Sequence, residues 1–142
     1  MKYAGFAALL ALTLSPVTTA QSITLTPGEW THTRSTAERG APRIETRSVC
    51  LSSQDAETDL IALATAFNES LFCEAEDVTP SDHGASFSMV CGPISMFRHG
   101  EGEVSVDTSN SYTIIARARL NVPGSAQIIS TITETATHTG PC

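Results

Sequence analysis

Reactive side chains are few in this 142-residue chain, and most of them have a quiet explanation. The cysteines are Cys50, Cys73, Cys91 and Cys142. None forms a C-x-x-C pair, which argues against thiol–disulfide exchange, and an even count at wide spacing reads as a disulfide framework. The histidines, His32, His83, His99 and His138, have no close metal-ligand spacing. His99, Glu101 and Glu103 share one strand face, where a mixed nitrogen–oxygen metal site is conceivable. The facing strand sets Arg119 against His99 and Arg117 against Glu101, so a surface charge ladder is the simpler reading. Glu74 and Glu76 also alternate onto one face. Paired carboxylates can act as acid and base in glycoside hydrolysis, but these lie opposite the apolar face of their hairpin. There is no G-x-S-x-G elbow and no phosphate loop. We therefore expect no catalytic residue, no metal and no cofactor. A carboxylate-dependent hydrolase using Glu101/Glu103 or Glu134 is the remote alternative.

The chain reads as one α+β domain: a single curved, mostly antiparallel sheet of about six or seven strands packed on one helix, with two disulfides. A first strand is expected over Glu29 to Ser35 and a second over Ile44 to Leu51, joined by a loop containing Arg39-Gly40-Ala41-Pro42. The helix follows, capped by Ser52 or Ser53, with Asp55, Glu57 and Asp59 in its early turns. Leu60, Leu63, Ala64, Phe67 and Leu71 recur at helical spacing and make one apolar stripe.

Cys73 to Cys91 reads as a hairpin turning at Thr79 to Gly84. Pairing the two cysteines places Ala75 opposite Met89 and Asp77 opposite Phe87. Directly opposed cysteines on antiparallel strands can meet disulfide geometry, so Cys73–Cys91 is expected. Cys50–Cys142 follows by elimination.

A meander completes the chain: Arg98 to Val106, a turn at Thr108-Ser109-Asn110, Tyr112 to Val122, a turn at Pro123-Gly124-Ser125, and Ala126 to His138. Tyr112, Ile114, Ala116, Ala118, Leu120 and Val122 alternate cleanly with polar neighbours and define an inner face. Short turns set Val106 against Tyr112, Gly102 against Ala116 and Gly100 against Ala118. On the other side they set Ala118 against Ser130 and Ile114 against Glu134. Small residues therefore cluster on the inner face. Such a patch marks either a close approach of the helix or a bend, or else a cavity. As a cavity it would make Gly102, Tyr112, Ala116, Ser130 and Glu134 the ligand-facing residues. Glu134 must be paired, hydrogen-bonded or neutral if buried. Tyr112 and His138 are its candidate neighbours, and the open, wetted end of the sheet is the expected setting.

The first 20 residues place Lys2 before an apolar run from Phe6 to Leu14 and end in small residues at Thr18-Thr19-Ala20. This is a secretory signal, with cleavage expected after Ala20. The run is too short to cross a bilayer, which takes about 20 apolar residues. Residues 21–142 would then form the single disulfide-stapled domain. The remainder contains no lysine. Removing Lys2 takes the formal charge from −7 to −8, which argues against nucleic acid or an anionic membrane as partner.

The order Pro27-Gly28-Glu29-Trp30, Cys50-Leu51-Ser52-Ser53, the Cys73/Cys91 hairpin, Gly100-Glu101-Gly102-Glu103-Val104 and Gly140-Pro141-Cys142 resembles a bacterial family. It is domain of unknown function three-six-one-seven, small exported proteins of Gram-negative bacteria. The resemblance covers essentially the whole chain after the signal. Glu29 stands where relatives have an apolar residue, and Ser35 to Pro42 lacks their methionine- and proline-rich character. The resemblance implies a periplasmic address and brings no catalytic residue. The leading expectation is a non-enzymatic periplasmic protein that binds a small apolar ligand or associates with the envelope. The alternative is a structural or interaction module that contacts an envelope protein through outward-facing Ile115 and Ile129.

Overall fold

The structure is a computed structural model, and it describes residues 21–124 and 127–142. The signal segment and the Ser125–Ala126 part of the last turn and strand lie outside the described residues. The elements, in chain order, are β1 (Ser22–Thr24), β2 (Gly28–Ala37), β3 (Arg43–Leu51), β4 (Glu57–Asp59), α1 (Leu60–Glu69), β5 (Cys73–Ser81), β6 (Gly84–Cys91), β7 (Phe97–Thr108), β8 (Ser111–Leu120) and β9 (Ile129–Gly140). Seven strands form one antiparallel sheet in the order β3-β2-β9-β8-β7-β6-β5. β1 and β4 make a separate two-stranded ribbon that the sequence reading did not foresee. No helix among the described residues is long and apolar enough to cross a membrane.

The meander follows the expected register. Val106 pairs with Tyr112, Gly102 with Ala116, Gly100 with Ala118, Ala118 with Ser130 and Ile114 with Glu134. An irregularity between Phe97 and Gly100 interrupts the ladder at His99, so the expected Arg119–His99 pairing is absent from it, while Glu101 does face Arg117. Both expected disulfides are present, Cys73–Cys91 and Cys50–Cys142.

Two local expectations are corrected. The helix starts at Leu60 and not after Ser52. Ser52 closes a turn instead, accepting from Asp55 N at 3.1 Å and donating to Asp55 Oδ2 at 2.7 Å. Glu57 to Asp59 then pair with β1, and the Asp59 carboxylate caps the helix by accepting from Ala62 N at 2.7 Å. Asp77 does not face Phe87, because the β5 ladder slips between Glu76 and Thr79 and Thr79 faces Ser86. The slip leaves Asp77 exposed at φ 51° and turns Val78 against the core, so no carboxylate is buried there.

Leu60, Ala64 and Phe67 of α1 are buried, with Leu63 and Leu71 packed at the margin. They share one core with Phe87, Met89, Phe97 and the β8 residues Ile114, Ala116 and Ala118. The helix packs chiefly on β5, with β6 and β7 beyond. The opposite end of the same sheet face, on β2 and β3, has no helix seated on it, and every residue from Arg43 to Cys50 is exposed.

Candidate functional site

Side chains alternate along β2, so Trp30, His32 and Arg34 share one face. Cross-strand pairing adds Val49, Arg47 and Glu45 from β3, and His138, Ala136 and Glu134 from β9. This face therefore changes along its length from apolar at Trp30 to charged at Arg34.

Glu134 is the centre of the charged part. It is 3 % exposed, so the wetted setting expected for it is overturned. An open sheet end is unnecessary because cations come to it from two neighbouring strands. His32 Nδ1 donates to Oε1 at 3.0 Å, Arg34 Nε donates to Oε2 at 2.9 Å, and Arg34 Nη2 also binds Oε2. Arg47 Nη2 reaches Oε1 at 3.4 Å. Burial alone would raise this carboxyl. The His32 hydrogen bond and then the Arg34 charge outweigh that, and hold it down at about 2. Arg34 continues to the helix end, donating to Ser70 Oγ at 2.7 Å and lying 5.4 Å from the Phe67 ring centre. One ionic link thus ties β9 and β2 to α1.

Beside this link lies a cleft of about 340 Å³ between α1 and β2–β3. That is within the range of small-ligand sites, roughly 300–1,000 Å³. Leu25, Val49, Leu51 and Leu63 give it apolar walls, Trp30 and Tyr112 an aromatic end, and His32, Arg47 and Asp55 its polar points. Trp30 Nε1 donates to Thr26 O at 2.8 Å, and its ring lies 5.8 Å from that of Tyr112. Burial and then the nearby Glu134 charge push the Tyr112 hydroxyl up to about 12, so it stays a neutral donor. A second hollow, of about 400 Å³, is lined by charged side chains of β2, β3 and the turn between them, with Leu71, Met96 and Phe97 on its other side.

The structure brings together only part of the expected ligand-facing set. Tyr112 and Glu134 are diagonal neighbours on β8 and β9, both in contact with His32. Ala116 and Ser130 are sealed, at 1 % and 0 % exposed, so they offer almost no surface to a ligand. A Cβ on Gly102 would fall 2.5 Å from Phe87 Cζ, because the ring lies over that glycine. The small residues here let rings and backbone approach closely. His138 packs edge-on to Trp30 with 6.0 Å between ring centres and donates from Nε2 to Pro27 O, away from Glu134. Sequence reasoning missed His32, Arg34 and Arg47. The available signal was alternation: two cationic side chains on the same strand face as Trp30, the only tryptophan, must be buried with it.

A family model described as a protein of unknown function (DUF3617) matches residues 25–142. No curated protein and no solved structure matches the chain.

Proposed function

The chain belongs to the DUF3617 family of proteins of unknown function, and from that footing we propose a non-enzymatic, exported periplasmic binding protein. Its cleft between α1 and β2–β3 takes a small amphipathic molecule with an anionic head. The observation that carries this reading is the contrast between apolar walls and one under-used guanidinium. The Arg47 side chain is 57 % exposed, and its 3.4 Å contact with Glu134 leaves donors to spare. An alkyl chain would lie against Leu25, Val49, Leu51 and Leu63, with its carboxylate at Arg47.

A binding role fits the chemistry better than turnover. Glu134 is held ionised at about 2 and its oxygens are already engaged, so it is a poor proton donor or acceptor at neutral pH. Among the described residues, neither serine nor cysteine lines the cleft. Export is supported by two disulfides and by the signal-like first 20 residues.

The test uses Trp30, which lines the cleft, as reporter. Titration with decanoate should change its fluorescence saturably, and decanol should bind more weakly. Arg47→Ala should weaken decanoate about ten-fold and leave decanol unchanged. An absent or non-saturating response, or equal loss of both probes, would remove the reading.

A further inference from the structure

The seven-stranded sheet has two edges, and they are treated differently. At β5 the free edge is broken by the slip between Glu76 and Thr79, by Asp77 at φ 51° and by Pro80. Bulges and proline are the usual devices that stop an edge from pairing with another chain. β3, at the other edge, has none of these. Its nine residues, RIETRSVCL, run without proline or glycine and without any register shift against β2. Residues 43–50 are all exposed, and Ile44 is 63 % exposed.

The charges on β3 complement a reversed copy of themselves. Arg43, Glu45 and Arg47 alternate in sign on the helix-side face. In an antiparallel pairing of two β3 strands centred on Thr46, each Glu45 meets the partner's Arg47. Thr46 then meets Thr46, Ile44 meets Ser48, and Arg43 meets Val49. Opposite charges directly across an antiparallel pair are stabilising, whereas an edge guarded by like charges repels its copy. A two-fold interface demands this kind of self-complementarity.

We propose that β3 is a homodimerisation edge, at which two copies of the chain join their sheets through antiparallel β3–β3 pairing centred on Thr46. The joined sheet sets the partner's Glu45 beside Arg47 and the partner's Arg43 beside Val49, two of the residues that line each cleft. Dimerisation itself does not depend on a ligand being bound there.

Sedimentation velocity on the purified protein, expressed as the full chain, tests this directly. The expected result is a dimer in the micromolar range. Glu45→Arg, which sets arginine against Arg47 across the axis, should shift it to monomer while circular dichroism stays unchanged. Thr46→Cys should give a disulfide-linked dimer on mild oxidation, and Ile44→Cys, whose opposite residue is Ser48, should not. A wild-type monomer throughout that range overturns the proposal. So does a dimer that is indifferent to Glu45→Arg and not cross-linked through Thr46→Cys, or a monomer whose β3 instead pairs with a strand of another protein.

Discussion

Arg34 and Glu134 are a hundred residues apart in the chain and directly opposite each other on paired strands β2 and β9. Arg34 binds the carboxylate with Nε and Nη2 and reaches Ser70 at the end of α1 with the same guanidinium. The pair sits where the helix-covered core gives way to the uncovered charged face, so it sets the position of the helix end beside the cleft. Its energetics govern the behaviour of this region.

The acid sensitivity of the fold should come substantially from Glu134. Its carboxyl falls from an ordinary 4.5 to about 2 in the folded chain, despite burial, through His32 and Arg34. Between those values the unfolded chain binds the extra proton. Stability is therefore fully present above about 4.5 and is lost as pH falls toward 2. The interval corresponds to about 3 kcal/mol. Urea unfolding across this range should show that loss. Glu134→Gln should flatten it and cost about 3 kcal/mol at neutral pH by leaving Arg34 without its anion. Equal acid sensitivity in both proteins would contradict the assignment.

Tyr112 should titrate late. Burial first and the Glu134 charge second raise its hydroxyl from 10 to about 12, against an opposing effect of Arg47. The folded chain keeps a proton that the unfolded chain releases, so this contribution to stability persists up to pH 10 and is lost as pH climbs through 12. Phenolate absorbance, with Tyr112→Phe as baseline, reads it. Glu134→Gln should lower the midpoint and Arg47→Ala raise it.

The two disulfides should differ in their contribution. Cys50–Cys142 closes a separation of 92 residues and Cys73–Cys91 one of 18. Chain-entropy arguments give about 4–5 kcal/mol for the long loop and about 3 kcal/mol for the short one. Paired replacement by alanine, followed by urea unfolding, should show the larger loss for Cys50→Ala/Cys142→Ala. The reverse order would contradict the loop-length account.

Gly102 should not tolerate a side chain. A Cβ there would meet Phe87 Cζ at 2.5 Å and Ile115 O at 2.9 Å. Gly102→Ala should cost about 1–3 kcal/mol through overpacking. Phe87→Leu in the same chain should recover part of that loss, since it withdraws the ring. A neutral Gly102→Ala variant would place the ring elsewhere.

Legibility in the sequence followed the range of the interactions involved. The central parts of β7, β8 and β9 alternate cleanly, so Gly102 opposite Ala116 and Ile114 opposite Glu134 could be read directly. The helix start could not. Ser52 with Asp55 imitates a helix cap locally, and pairing with the distant β1 draws Glu57 to Asp59 into a strand. Asp77 escaped for a similar reason, because only the finished core shows that Val78 must turn inward in its place. Glu134 was recognisable as an inner-face carboxylate, but its partners come from strands that only the β2–β9 pairing brings near. Cleft volume and the spare capacity of Arg47 depend on where α1 stops covering the sheet, which no local pattern encodes.

The most direct measurement is calorimetric titration of decanoate into the wild-type protein and into Ala66→Trp. Ala66 is an exposed helix residue on the cleft wall, and it meets the charged link only through the backbone, where its carbonyl accepts from Ser70 N, a bond that a side-chain change leaves in place. An indole there fills the cleft without altering its charge. Saturable one-site binding to the wild type that disappears in a folded Ala66→Trp protein is the predicted result. Undiminished binding to Ala66→Trp would contradict a ligand site between α1 and β2–β3.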